Sequence, residues 1–273
     1  MKYAIITVSD LHVGSYSGIM PDGGIKVDSG SKFTPSKPQQ MLIDFWDHFW
    51  NKYVPESTKQ CKKIQVVING DVIDGNHHNA VDLIPNVEDQ RLAAEKLLRP
   101  IRNRYDMAIT RGTEVHGGKS EQDTEAIAKN LDCIQDKETE NYSWYQYWLD
   151  CQDVLFQFAH HIGTTSSAAY ETSAPMRELV AGLVESAQWG QRMPDIFVRS
   201  HRHRYIPVSI PAQGNKDISL YITPAWQLRT PHVERIDRMR LSHIGGIIFI
   251  CEDGLCRAQK KLYEMPKPTV NRM

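Results

Sequence analysis

A layered α/β fold is predicted for this sequence by two observations. In the first half, short apolar runs rich in β-branched residues alternate with segments of helical periodicity, and in the second half short strand-like runs dominate. Nothing resembling a linker, an internal repeat or a low-complexity stretch divides the 273 residues, so residues 1–273 read as one domain.

The elements follow in order. Tyr3 to Val8 reads as a buried strand ending at Ser9-Asp10-Leu11-His12, and the Gly-, Ser-, Pro- and Asp-rich stretch from Val13 to Lys37 as a long loop. A helix follows, with Ser36 as cap and Pro38 in its first turn. Its face of Met41, Leu42, Phe45, Trp46, Phe49 and Tyr53 is read as core. Ile64 to Ile68 is a second strand, ending in Asn69-Gly70-Asp71; Val87 to Arg104, capped by Asn86, is a helix. Met107 to Thr110 is a third strand, and Ser120, with Asp123 three residues on, begins a helix to Leu131. Tyr142 to Leu149 and Val154 to Ala159 form a strand pair, and Ser173 caps a helix over Ala174 to Trp189. Strands are then expected at 196–199, 205–210, 218–223, 245–251 and 255–263, with an irregular tail after Pro266.

Composition narrows the function. A net charge of -1 offers no bulk attraction for nucleic acid or an anionic membrane. The cysteines number five, are irregularly spaced and form no Cys-x-x-Cys pair, which suggests reduced thiols in the cytoplasm rather than a disulfide framework. The apolar run at Met1 to Val8 is too short for a signal-peptide core, and no run reaches membrane-spanning length.

The polar residues cluster where the apolar runs stop. Asp10-Leu11-His12, Asp71, Glu114 with His116, and His160-His161 each follow a predicted strand, and His201-Arg202-His203 follows the one at Phe197. Loops at strand carboxyl ends gather at one edge of a layered fold, so distant residues converge there. Carboxylate plus imidazole suits zinc, iron or manganese. A carboxylate such as Asp71 has two oxygens with which to bridge a pair of cations, and a pair roughly 3.5–4 Å apart clamps both oxygens of a displacement.

These pieces resemble the calcineurin-like metallophosphoesterases, marked by Asp-x-His, Gly-Asp-x-x-Asp, Gly-Asn-His-Asp/Glu, His and Gly-His-x-His in that order. Here they stand as Asp10-Leu11-His12, Gly70-Asp71-Val72-Ile73-Asp74, Gly112-Thr113-Glu114-Val115-His116, His160 and Ser200-His201-Arg202-His203. The resemblance implies a two-sheet β-sandwich flanked by helices in four layers, αββα. It implies two divalent metal ions, with manganese first and zinc, iron or nickel as others. Asp10, His12 and His203 would hold one, His160 and His201 the second, and Asp71 would bridge. Two departures stand out. Where the family has Asn-His, this chain has Thr113-Glu114-Val115-His116, so Glu114 is expected as a ligand of the second metal and His116 as the catalytic imidazole facing phosphate. Ser200 replaces a glycine.

Other residues keep two readings. His161 competes with His160 as ligand. Asp74 is a ligand, or orients the Asp71 loop. His77 and His78 touch substrate or metal, or lie on a surface loop. Arg111 and Arg202 either pair with phosphate oxygens or are solvated. Gly117-Gly118 offers backbone donors for an anion or is a turn. His48, His232 and His243 are read as structural. The expected activity is hydrolysis of a phosphomonoester or phosphodiester by metal-activated hydroxide; the expected partner is a phosphoester, extending to a nucleotide or nucleic acid, and no membrane. Three alternatives stand: a nuclease, a scaffold with a weak or dead site, and a mononuclear metal hydrolase.

Overall fold

In the computed structural model, which describes residues 1–76, 82–164, 167–212, 216–236, 241–266 and 270, the run Tyr3–Val8 is strand β1, buried from Ala4 onward. The long loop after it carries a small hairpin, β2 (Ile25–Lys26) and β3 (Lys32–Phe33). Ser36 then caps α1 (Lys37–His48) in a reciprocal capping box with Gln39. The helical path continues through a π-helical turn at Phe49–Tyr53 into α2 (Val54–Thr58). The aromatic stripe is core, as read: Leu42, Trp46 and Phe49 are buried against the first sheet.

β4 (Lys63–Asn69), α3 (Val87–Arg102) and β5 (Asp106–Thr110) fall where the sequence places them, and the Asn86 side chain caps α3 by accepting from the Glu88 N–H. A short helix α4 (Glu114–Gly117) follows, unforeseen in the sequence. The next helix, α5 (Gln122–Asn130), starts two residues later than expected, because Ser120 and Glu121 adopt left-handed backbone and no side chain caps it. The single strand expected over Tyr142 to Leu149 is two. β6 (Ser143–Trp144) closes the edge of the first sheet, and β7 (Tyr147–Cys151) opens the second. β8 (Val154–Phe158) pairs antiparallel with β7. Ser173 lies inside α6 (Ser173–Trp189) rather than capping it. β9 (Ile196–Arg199), β10 (Ile206–Pro211), β11 (Asp217–Ile222), α7 (Pro231–Ile236), β12 (Ile244–Glu252) and β13 (Leu255–Tyr263) complete the chain; α7 was not expected.

The strand order is β13-β12-β1-β4-β5-β6 in one sheet and β10-β11-β9-β8-β7 in the other. β1, β4, β5 and β6 run parallel, as do β8, β9 and β11. The inner faces meet in an apolar core of Ile5, Val67, Ala108, Phe249, Phe156, Phe158 and Val198. Helices α1, α3 and α5 cover the outer face of the first sheet, and α6 covers that of the second through Leu179, Phe197 and Leu220. This is the two-sheet sandwich in four layers, αββα. Among the described residues no helix is long and apolar enough to cross a membrane.

Phe156 is fully buried between the sheets and stacks on Phe158. Its truncation in Phe156→Ala is expected to destabilise the protein by about 3–5 kcal/mol, read as a lower midpoint in urea unfolding.

Candidate metal centre

The parallel strands aim their carboxyl ends at one rim, and there the polar residues collect. Beyond β1 and β4 the two chains stay side by side: the Asp10 N–H donates to the Gly70 carbonyl and the His12 N–H to that of Asp71. From the second sheet, the Ser200 N–H donates to the His160 carbonyl. At this rim Asp10, His12, Asp71, His201 and His203 all have positive φ, between 44° and 68°. Such backbone is sparsely populated for residues with a Cβ, and clusters of it mark functional sites. Gly70 and Gly112 allow the close approach, because a Cβ would strike the His160 ring at the first and the Asp71 carboxylate at the second.

Three overlapping donor groups share this rim, one of them His12, Asp74 and His116. Asp10, His12 and His203 offer ligand atoms within 4.8 Å of one another, and so do Asp71, His160 and His201. Between them lies the Asp71 carboxylate. Its Oδ2 is 2.9 Å from His160 Nε2 and 3.9 Å from His12 Nε2. Its Oδ1 is tied back by the Thr113 N–H at 2.8 Å and hydroxyl at 3.2 Å. Asp10 Oδ1 lies 3.3 Å from His203 Nε2 and 3.9 Å from His160 Nε2.

The imidazoles are oriented from behind. The carbonyl of Asn69 accepts from His160 Nδ1 at 2.8 Å, and Asp74 Oδ1 accepts from His12 Nδ1 at 3.0 Å. Each bond places the hydrogen on Nδ1 and turns Nε2 into the site, as in many metal-binding histidines. Asp74 therefore steadies His12. Gln227 Nε2 also donates to Asp74, and beside it lies the carboxyl of Asp82, a residue no motif marks. Burial and the Asp74 charge raise the Asp82 carboxyl to about 6.

Buried carboxylate–imidazole pairs dominate the electrostatics. Burial alone would raise Asp10, but His203 and His160 outweigh it and bring the carboxyl down to about 2. Burial likewise opposes the Asp71 charge, and His160 holds that carboxyl well below its usual range. His160 is raised to about 9: burial works against its charge, and Asp71, Asp10 and the Asn69 carbonyl prevail. Burial and His160 push His201 down to about 4. Asp10 Oδ1, His12 Nε2 and His160 Nε2 are buried and face charged neighbours without a well-aligned hydrogen bond. Buried polar atoms without partners are destabilising. Three converging from separate loops fit a bound divalent cation.

The remaining expectations divide. His160 belongs to a donor group, whereas His161 is exposed, its ring 4.8 Å from that of His201. His116 lies against His12, ring centroids 4.5 Å apart, and its Nδ1 donates to the Asp74 carbonyl at 2.6 Å. Glu114 requires correction. It is exposed, belongs to none of the three donor groups, and borders a cavity of about 370 Å³ that no donor-group residue lines. Thr113 is the N-cap of α4, so the chain turns outward at Glu114 and leaves Thr113 against Asp71.

The arginines are also corrected. Arg111 is buried, donates to Ser143 Oγ and the Ser120 carbonyl, and stacks on Tyr145. Arg202 is buried and donates to the Glu171 carbonyl. Burial overturns the solvated reading of both, and Arg111 spends N–H groups on partners within the fold. Gly117 and Gly118 pack against the carboxyl groups of Glu121 and Asp123, whose negative charge opposes an anion there. His48 bonds the Tyr263 hydroxyl and His243 accepts from the Tyr205 N–H, both structural. His77, His78 and the side chain of His232 lie outside the described residues.

No protein-family model and no curated protein matches this chain. Solved structures show a distant likeness. A doubly substituted Vps29 from Entamoeba histolytica is 10% identical, with 96% of this chain and 99% of that chain covered at a TM-score of 0.39. A predicted phosphoesterase from Streptococcus pneumoniae is 11% identical, covering 96% and 99% at 0.34. A metallophosphoesterase from Sphaerobacter thermophilus is 8% identical, covering 96% and 89% at 0.35. At such distances the functional reading rests on the chain's own geometry.

Three outcomes are expected. In Gly112→Ala the added Cβ displaces the Asp71 carboxylate, and metal content measured by mass spectrometry falls while the fold persists by circular dichroism. In the metal-free chain, folding raises His160 from 6.5 to about 9. Its contribution to stability is therefore complete below pH 6.5 and is lost as the pH rises through 9. A cation at Nε2 displaces that proton, so calorimetric titration in buffers of different ionisation enthalpy shows proton release at neutral pH, diminished in His160→Ala.

Proposed function

We propose that this chain is a metal-dependent phosphoesterase of the calcineurin-like class. Asp10, His12 and His203 hold one divalent cation, His160 and His201 hold a second, and Asp71 is shared. The supporting observation is the single oxygen Asp71 Oδ2, which lies near both His160 and His12 while Thr113 restrains its twin. Cations bound there polarise a phosphate ester and lower the pKa of an attacking water. With Glu114 turned to solvent, nothing in the donor set prefers manganese over zinc, iron or nickel.

The chain's own groups do the rest. Asp10 is fully buried and forms the floor of the site, while His116, His201 and His203 are half-buried and mark the side from which a phosphoester arrives. His116 has Nδ1 committed to the Asp74 carbonyl, so it exchanges protons at Nε2. When protonated there it stabilises charge on the phosphate and hands its proton to the departing oxygen. The left-handed backbone at the ligand residues fixes these positions before substrate binds.

Metal content and turnover of bis(p-nitrophenyl) phosphate, p-nitrophenyl phosphate and single-stranded DNA, measured with manganese, test the reading. Two cations per chain and hydrolysis of a small ester are expected. Asp71→Asn should lose both cation binding and turnover. His116→Ala should keep the cations and lose about 10²–10⁴-fold in rate. Glu114→Ala should change neither. Bound cations with no turnover on any ester would turn the reading toward a scaffold, and one cation per chain toward a mononuclear hydrolase.

A further inference from the structure

We infer that a one-way chain of hydrogen bonds, running from Asn69 through Ser200, Thr223 and Ser9 to Asp10, is a positioning device that sets one ligand of each cation site. This rests on the two-cation reading above. All five residues are fully buried. Asn69 Nδ2 is 2.6 Å from Ser200 Oγ, Ser200 Oγ is 2.7 Å from Thr223 Oγ1, and Thr223 Oγ1 is 2.6 Å from Ser9 Oγ. Ser9 Oγ is 2.5 Å from Asp10 Oδ2.

The direction of every bond is determined. The Asp10 carboxylate only accepts, so the Ser9 proton goes to it. Ser9 must then accept from Thr223, and Thr223 from Ser200. At the other end the Asn69 amide nitrogen only donates, so Ser200 accepts from it. The Thr110 hydroxyl donates to Asn69 Oδ1 at 2.8 Å, and the Ala159 carbonyl takes a proton of the amide at 3.1 Å; both fix which way round the amide lies. Aligned hydroxyls polarise one another and strengthen the terminal bond.

Both cation sites lie at the ends of this chain. Pinning Asp10 Oδ2 leaves Oδ1 facing His203 and His160. Asn69, where the chain begins, uses its own carbonyl to hold His160 Nδ1. The links come from both sheets: Ser9 and Asn69 sit at the ends of β1 and β4, and Ser200 and Thr223 follow β9 and β11. Ser200 is the residue that stands where the resembled pattern has glycine. A glycine there could pass no proton, so the departure supplies the middle of the chain.

Calorimetric titration with Mn²⁺, checked by equilibrium dialysis, tests the inference on wild type, Thr223→Val, Thr223→Ser and Ser200→Ala. Thr223→Val keeps the shape and removes the hydroxyl, and is expected to weaken Mn²⁺ binding about 10–100-fold, with Ser200→Ala similar. Thr223→Ser, which keeps the hydroxyl, is expected to bind like wild type. Circular dichroism of the metal-free proteins identifies any variant that does not fold, and the remaining variants then carry the comparison. Wild-type affinity in Thr223→Val and Ser200→Ala overturns the inference, as does a weakening that Thr223→Ser shares. A wild type that binds no cation overturns the phosphoesterase reading itself, a result distinct from either.

Discussion

Two carboxylates and four imidazoles packed together under a rim of the sandwich are the constraint on which the rest of this structure depends. Charges taken out of water are strongly unfavourable unless paired. Here Asp10 and Asp71 are paired with histidines from the opposite sheet, so each sheet supplies what the other requires. The parallel strands are the means. β1 and β4 in one sheet and β8 and β9 in the other deliver their carboxyl ends to this rim, and left-handed residues follow β1, β4 and β9.

Much of this was legible in the sequence because the informative residues are of unusual type for their place. A carboxylate or imidazole directly after a buried apolar run is conspicuous, and Asp10, His12, Asp71, His160, His201 and His203 all announce themselves that way. The layered fold was legible for a related reason: strand and helix periods differ, and runs such as Tyr3 to Val8 leave little ambiguity.

What escaped were features set by tertiary geometry. The Tyr142 to Leu149 run has the chemistry of one strand, yet Tyr145 and Gln146 carry the chain from one sheet to the other, and no local propensity records which sheet a residue joins. Ser120 and Asp123 have capping-box spacing, but Glu121 turns its carboxyl inward to meet the Gly112 N–H and Thr124, and the helix begins later. Glu114 looked like a ligand by charge and place, and Thr113, an unremarkable residue in sequence, touches Asp71 instead. Asp82 stands in a loop without a motif and matters only through the partner that folding gives it.

The two ends of the sandwich interior differ in kind. Mid-sandwich, the contacts between sheets are those of Phe156, Phe158, Phe249 and their apolar neighbours. Such packing is nondirectional, and compensating changes in shape can restore it. At the rim the contacts pass through hydroxyls and amides, whose geometry admits few substitutes. Genetic drift should therefore act unevenly on this protein, wandering freely through the middle of the sandwich while the serines, threonines and asparagine beneath the ligands stay almost fixed.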